Sequence, residues 1–461
     1  MKFSLTEIAS IVEGTLSGSD ADITSIATDS RNLKPGALFI ALYGSNFDGH
    51  DFVEDAISKG AVAVLVSRPV PGTHIHVSNT LIALGQIAAT YRKSLPATVI
   101  AITGSSGKTS TKDLMACALS PFGLVVKSER SLNNEIGVPL TILQADSSTD
   151  FLILEMGMRG LGQIDYLTKI ASPNVSVLLN AGSAHLSELG SRENILKAKS
   201  EIFHNMVEPK IKITSADDAR LVELGSNLET PMVFFGQSTS ANVCIEDLSI
   251  SENGFPSSNI KIHGETTNLT IPRVGEHQML NAAAVIAVIG ALKLDLPRAL
   301  QSLSGCKDSE KWRMQIIELQ NDITVINDAY NANPESMRAG LRALKDYAKK
   351  RRTWAVLGEM LELGETSLEE HDALGRLCVR LDVSKTLAVG QSARSIQLGA
   401  SLEGSWNQES IFAETVEQAI DVLIHEVQPG DVVFIKASRA VGLERVAMAL
   451  ENHFGGKNMS P

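Results

Sequence analysis

The stretch T-G-S-S-G-K-T-S, Thr103 to Ser110, holds the most specific chemistry in the chain. Gly104 and Gly107 permit a tight turn whose backbone N–H groups can converge on oxygens, and Ser105, Ser106 and Ser110 keep that turn small and polar. A helix opening at such a turn adds positive potential at its first residues, which makes the place an anion site. Lys108 is spaced to reach the β- and γ-phosphates of a nucleotide, and Thr109 to offer a hydroxyl to Mg²⁺. Fewer residues separate Gly104 from the Gly107-Lys108 pair than in the ordinary phosphate loop. The loop argues for a nucleotide and leaves kinase, GTPase, ATPase and ligase chemistry open.

Other polar residues stand where apolar runs end. Glu155 closes F-L-I-L-E, Asn180 closes N-V-S-V-L-L-N, His185 follows in N-A-G-S-A-H, and Lys199 lies in K-A-K-S-E. The carboxyl ends of parallel strands are where open α/β sheets place ligands. Each residue also has a plainer reading. Glu155 suits a turn cap, although an acidic strand end beside a phosphate loop favours Mg²⁺. His185 suits a hydrogen-bonded loop, and imidazole is an unusual ligand for Mg²⁺. Lys199 suits a solvated helix face. Arg313 alternates with Trp312 and Met314, which reads as a strand residue facing solvent or a cleft. Asn133 and Asn134 read as a turn pair. In D-A-Y-N-A-N-P, Asn333 and Pro334 read as the cap and first residue of a helix.

Positioning these groups requires repeated strand, turn and helix units. The opening M-K-F-S-L-T-E-I-A-S-I-V-E-G reads as a short amphipathic helix rather than a signal peptide. Strands are expected at 37–42 and 61–66, with helices at 51–59 and 80–92. Pro96 marks a boundary, because a residue before proline leaves the helical region. From 97 the apolar runs 98–103, 151–155 and 174–180 alternate with helices, which implies a mostly parallel sheet covered on both faces. Residues 231–272 read as a small antiparallel insertion, and 277–292 as a buried helix too short and too polar at its flanks to span a membrane. A third unit has strands at 322–327, 353–358, 385–389 and 431–436. The fold class is therefore α/β with three domains: a small N-terminal α/β domain (1–96), a central parallel-sheet domain with the phosphate loop (97–307), and a C-terminal Rossmann-like α/β domain (308–461).

The bulk numbers agree with this plan. A chain of 461 residues is long for one core. With 44% apolar and 20% charged residues it is expected to be soluble and globular. The net charge of −12, without a basic stripe, argues against a nucleic-acid or anionic-membrane surface. Four scattered cysteines fit neither a disulfide scaffold nor a metal cluster, and with no export signal the cytoplasm is expected.

Longer stretches carry a resemblance. S-L-N-N-E-I-G-V-P-L-T (131–141), L-E-M-G-M-R-G-L-G-Q-I (154–164), I-N-D-A-Y-N-A-N-P-E-S-M (326–337), G-E-M-L-E-L-G (358–364) and I-K-A-S-R (435–439) occur in one order with the phosphate loop and with T-D-S-R-N-L-K-P-G-A-L-F-I-A-L-Y-G-S-N-F-D-G-H (28–50). Over essentially its whole length the chain resembles the Mur ligases, ATP-dependent amide-forming enzymes of peptidoglycan precursor synthesis. Within them it is similar to the members that add D-alanyl-D-alanine to UDP-N-acetylmuramoyl-tripeptide. Ser131 and Ala437 stand where many relatives carry Asn and Gly.

The resemblance implies ATP and Mg²⁺ as cofactors, and the sites an acyl-phosphate route. The oligomeric state is open with a monomer preferred, and charge and the short apolar run lead to the expectation of no nucleic-acid partner and no stable membrane insertion. It implies roles residue by residue. Gly104 to Ser110 hold ATP, with Lys108 and Thr109 at the phosphates and Mg²⁺. Glu155 and His185 are metal ligands, and Lys199 matches a lysine often carbamylated, which turns a cation into an anion able to orient a metal. Asn281 matches an asparagine on the adenine side. Arg313 reaches the phosphates from the third domain, and Asp328, Tyr330 and Asn331 lie in a loop that closes over nucleotide. Ser30 and Arg31, and with them Asp48, Gly49 and His50, match the uridine-diphosphate side. Asn133 and Asn134 face the muramoyl peptide.

Overall fold

The apolar runs read from the sequence become the inner strands of three sheets in the computed structural model, which describes residues 3–44, 47–129, 131–182, 186–226, 231–307, 310–405 and 408–456. The N-terminal sheet has five strands in the order Thr15–Ser17, His74–His76, Ala63–Val66, Ala37–Ile40, Ser25–Ala27. All its pairings are parallel except the first, between Thr15–Ser17 and His74–His76. The helix Leu5–Ile11 packs beside it. Ser4 Oγ accepts from the Glu7 N–H while the Glu7 carboxylate accepts from the Ser4 N–H, so both ends of a capping box are closed.

The helix Thr80–Arg92 joins this sheet to the next. Ala83, Leu84 and Ile87 pack into the N-terminal core, whereas Ala88 and Tyr91 pack into the central one. Its last turn is tied to helix ends of the central domain by Arg92, which donates to Ala171 O at 2.9 Å, and by the Tyr91 hydroxyl, which donates to Ala145 O at 2.8 Å.

Nine strands form the central sheet, in the order Glu265–Thr270, Pro256–Ile262, Val243–Ile250, Met232–Gly236, Ile211–Ser215, Val175–Leu178, Thr98–Thr103, Phe151–Glu155, Val125–Lys127. Thr98–Thr103 is buried at every position after its first, as a strand covered on both faces must be. The helix His277–Ala291 lies on one face and is apolar almost all round, because the phosphate-loop helix Lys108–Leu119 and the sheet enclose it. The segment 231–272 differs from the expected insertion. Met232–Gly236 pairs parallel with Ile211–Ser215, Val243–Ile250 continues in parallel, and only the last two pairings are antiparallel. The segment extends the central sheet, its half-exposed strands alternating apolar and polar residues where no helix covers them.

The C-terminal sheet runs Gln315–Glu318, Thr324–Asn327, Val432–Lys436, Thr353–Gly358, Lys385–Val389, Ser410–Ala413. It is parallel except for its first, edge strand. Both large sheets have a switch point. Thr98–Thr103 sits between strands reached in opposite directions, and Val432–Lys436, the last strand made, inserts between the second and third. A crevice opens at the carboxyl end of each such strand. Among the described residues no helix is long and apolar enough to cross a membrane.

Candidate active site

The phosphate loop leaves the central sheet at its switch point. Gly107 has φ +80°, and a Cβ there would lie 2.5 Å from Asn281 Oδ1, so a side chain is refused both by backbone and by space. Asn281 thus stands directly behind the loop, buried on the helix His277–Ala291. Asn180 holds the loop's shape. Its Oδ1 accepts from the N–H groups of Ser105 at 2.9 Å and Ser106 at 3.0 Å, and its Nδ2 donates to Ser106 O at 3.2 Å. Ser105 Oγ accepts from the Gly182 N–H at 2.9 Å. The helix makes its first closure from Thr111 N–H to Gly107 O at 2.8 Å, which leaves the N–H groups of Lys108, Thr109 and Ser110 without intrahelical acceptors. Those groups are the anion cradle. The Lys108 ammonium folds back over it and donates to Gly104 O at 2.7 Å.

Glu155 faces this cradle from the neighbouring strand end and is 1% exposed. Thr109 Oγ1 donates to its Oε2 at 2.9 Å, and Asn133 Nδ2 to its Oε1 at 2.8 Å. Lys199, also 1% exposed, points to the same place from the helix Arg192–Ser200. Among the described residues no carboxylate and no hydrogen-bond acceptor meets its ammonium. Burial pushes Lys199 well below the usual lysine range, and the nearby charge of Lys108 pushes in the same direction. Lys108 is lowered as well, by burial first; Glu155 opposes the shift and Arg313 adds to it. His185, named above as a metal ligand, lies outside the described residues.

The C-terminal sheet brings its own crevice against this one. Arg313 is not on a strand, as its apolar flanks suggested. It sits in a turn before the edge strand Gln315–Glu318, and Trp312 and Met314 take left-handed backbone at φ 64° and φ 48°. Its guanidinium lies 4.0 Å over the Tyr330 ring, and its Nε is buried with no partner among the described residues. The Tyr330 hydroxyl bonds Ser131 Oγ across the boundary. Asn333 caps the helix Pro334–Ala348, accepting from the Ser336 N–H at 2.9 Å, and its Nδ2 donates to Ser105 O at 3.2 Å, directly on the phosphate loop. Asp328 is turned inward: Lys436 donates to its Oδ2 at 2.5 Å and the Met314 N–H to its Oδ1 at 3.0 Å. Lys436 also donates to Asn331 O at 2.9 Å, leaving the Asn331 side chain toward the cavity.

A cavity of about 980 Å³ opens beside Lys108 and is walled by all three parts of the chain. Leu81 and Ile82 come from the connecting helix; Asn133, Asn134 and Arg159 from central loops; Asn331, Asn333, Glu362 and Arg439 from C-terminal loops. Asn134 is partly spent, since its Oδ1 accepts from Gly137 N–H at 3.0 Å. Arg159, Glu362 and Arg439 were given no role from the sequence. They lie inside the quoted stretches 154–164, 358–364 and 435–439, but nothing in those stretches shows which side chains turn inward. Burial, and next to it Glu188, raises the Glu362 carboxyl above its ordinary range. Ala437 is fully buried against Gly358.

None of Ser30, Arg31, Asp48, Gly49 and His50 lines this cavity. Ser30 is buried, and Arg31 is exposed and paired with Asp29, whose carboxyl it holds down to about 2. His50 is buried with both ring nitrogens engaged, Nδ1 with Asp48 Oδ1 at 2.6 Å and Nε2 with the Ser67 N–H at 3.0 Å. Gly49 packs on the Leu42 backbone, where a Cβ would come within 2.6 Å.

Among the described residues no group of three or more His, Cys, Asp or Glu side chains forms a metal cage. The oxygen donors Thr109 and Glu155 beside an anion cradle suit Mg²⁺, which takes few protein ligands and completes its shell with phosphate and water.

Comparison with known proteins places this geometry in context. Residues 22–92, 102–289 and 312–439 match the families described as Mur ligase family, catalytic domain; Mur ligase middle domain; and Mur ligase, glutamate ligase domain. The chain is 38% identical to the UDP-N-acetylmuramoyl-tripeptide–D-alanyl-D-alanine ligase of Mycobacterium tuberculosis, over 98% of both chains. It superposes on a crystal structure of MurF from Acinetobacter baumannii with a TM-score of 0.89 and 30% identity, covering 98% of this chain and 99% of that one. MurF ligase from Thermotoga maritima, solved in complex with ADP, gives a TM-score of 0.82 at 30% identity over 93% and 97% of the two chains.

Proposed function

Since the chain belongs to the Mur ligase family, we propose that it is the ATP-dependent ligase that joins D-alanyl-D-alanine to UDP-N-acetylmuramoyl-tripeptide in peptidoglycan precursor synthesis. The observation that carries the reading is one cavity that borders the phosphate loop and is walled by residues of all three domains. A ligase of this kind needs a phosphoryl donor, a peptide acid and an amine in one place. The identity of acid and amine rests on the relatives.

A carboxylate is a poor electrophile because oxide is a poor leaving group. In the proposed reaction a carboxylate oxygen of the peptide attacks the γ-phosphorus of ATP, the bond to the β-phosphate oxygen breaks, and ADP leaves. The amine nitrogen of the dipeptide then attacks the acyl-phosphate carbonyl, phosphate departs with the acid's oxygen, and the amine loses a proton. The free N–H groups of Lys108, Thr109 and Ser110 bind the phosphates, and the Lys108 side chain leaves Gly104 O to follow the transferring group. Arg313, with its unpartnered buried Nε, is the cation from the opposite wall. Asn133 and Thr109 orient Glu155. Members of the family use ATP and Mg²⁺; here Thr109, Glu155 and His185, with Lys199 as a carbamate, would hold the metal, which neutralises phosphate charge when bound. Asn333 and Tyr330 keep the C-terminal wall against the loop and water away from the acyl phosphate. A cytoplasmic location and the domain limits near residues 97 and 308 belong to the same reading.

The test is phosphate release by the purified chain. It is expected with ATP, UDP-N-acetylmuramoyl-tripeptide and D-alanyl-D-alanine together, and not when either acceptor is left out. Release that ignores the dipeptide would refute the assignment.

A further inference from the structure

One turn past Lys108, the same helix carries a second lysine to which the ligase reading gives no role. Lys112 is fully buried, and its Nζ lies 2.5 Å from Oε1 of Glu310, a residue 198 positions later. Glu310 belongs to the segment between the last helix of the central domain, Leu296–Ser304, and the edge strand Gln315–Glu318. Asp113 Oδ1 stands 3.9 Å from the same ammonium and is held at 2.6 Å by Lys127 on the strand Val125–Lys127. Charges of alternating sign therefore run from the sheet edge, through the phosphate-loop helix, to the segment joining the two domains.

A buried ion pair contributes little net stability, since desolvation offsets most of the Coulomb attraction; fixing one arrangement is what it does well. The arrangement here ends on Arg313. Glu310 O accepts from the Arg313 N–H at 3.2 Å and closes the turn. Around that turn Trp312 and Met314 take left-handed backbone, which bulky residues adopt only when their surroundings hold them there, here the Tyr330 N–H on Trp312 O and Asp328 Oδ1 on the Met314 N–H. The turn also delivers the Arg313 guanidinium onto Tyr330, with Nε buried and unpartnered among the described residues.

We propose that Lys112 is a positioning residue, which through Glu310 ties the phosphate-loop helix to the inter-domain turn and sets Arg313 against the phosphates that this helix holds. Lys108 and Lys112 lie four residues apart on one helix face and act differently, the first meeting the nucleotide and the second aiming the arginine. The inference rests on the ligase reading for the role of Arg313.

The experiment uses the full-length enzyme, with Lys112→Met, Glu310→Gln and Lys112→Arg compared for turnover, KM for ATP and calorimetric Kd for ADP. Both neutral variants are expected to lower kcat on the order of 10²-fold, as a catalytic group displaced by about an ångström does. KM for ATP and Kd for ADP stay within about twofold, because the contact acts on the transferring group. Lys112→Arg restores most of the turnover. Unchanged kcat in either neutral variant overturns the proposal, and so does a fall in kcat matched by an equal loss of ADP affinity. Should Lys112→Met fail to fold, Glu310→Gln decides alone. A wild-type enzyme that releases phosphate from ATP yet never ligates the two substrates refutes the substrate assignment instead, and the variants' phosphate release then decides the positioning.

Discussion

Lys199 shows what burial does to a single residue. A lysine 1% exposed, without a carboxylate among the described residues, cannot keep its proton as solvent lysines do, and Lys108 beside it adds repulsion. A neutral amine is a nucleophile for carbon dioxide, and in the proposed reading a carbamate on Lys199 would put an anion beside the Lys108 cation. Lys199→Ala is therefore expected to lower ligation by about 10–100-fold, the scale of losing a group that orients a metal. Formate or acetate should restore part of it; full activity in the unrescued variant, followed by phosphate release, would remove the carbamate. The sequence marked Lys199 only through the family resemblance. In K-A-K-S-E it looks like an exposed helix lysine, and nothing local distinguishes it from Lys197. The place of Glu155 beside the phosphate loop was easier to read, because it ends a strand where a parallel sheet sets its ligand crevice. Asp328 and His50 were harder, since their partners Lys436 and Ser67 come from distant strands and loops.

At the scale of elements, the helix His277–Ala291 carries a pH response. Its first residue is half-buried near the Asp328–Lys436 pair of the C-terminal domain, and desolvation there lowers the His277 pKa from 6.5 to about 4, with Asp328 opposing the shift and Lys436 adding to it. The folded chain thus binds fewer protons than the unfolded one between these values. Stability from neutral His277 is complete above about pH 6.5 and is lost as pH falls toward about 4, by roughly 2 kcal/mol between pH 7 and pH 5. Urea midpoints should drop less over that interval in His277→Gln than in the wild type; equal drops would contradict this. Long buried strands were legible because continuous apolar runs leave few alternatives. The short edge strands Gln315–Glu318 and Ser410–Ala413 were not, since half-exposed segments of this length carry no clear period. The Arg313 turn is not legible because an apolar–charged–apolar triplet mimics strand alternation, while the groups that hold Trp312 and Met314 in left-handed backbone, the Tyr330 N–H and the Asp328 carboxylate, lie some way along the chain.

For the whole molecule, two switch points face each other. The phosphate loop stands in one crevice, the loops bearing Tyr330, Asn333 and Arg439 in the other, and the cavity between them is closed by the helix that bears Leu81 and Ile82. Motif order along the chain announced three parts, but which loops meet is a property of strand order, and strand order was not readable from local pattern. A site divided among three domains suits a reactive intermediate that waits, shielded, for a second substrate. The direct test of that claim follows oxygen. With ¹⁸O in the peptide carboxylate of UDP-N-acetylmuramoyl-tripeptide, the account predicts that label appears in the inorganic phosphate released during ligation with D-alanyl-D-alanine. Phosphate free of ¹⁸O while ligated product accumulates would contradict it.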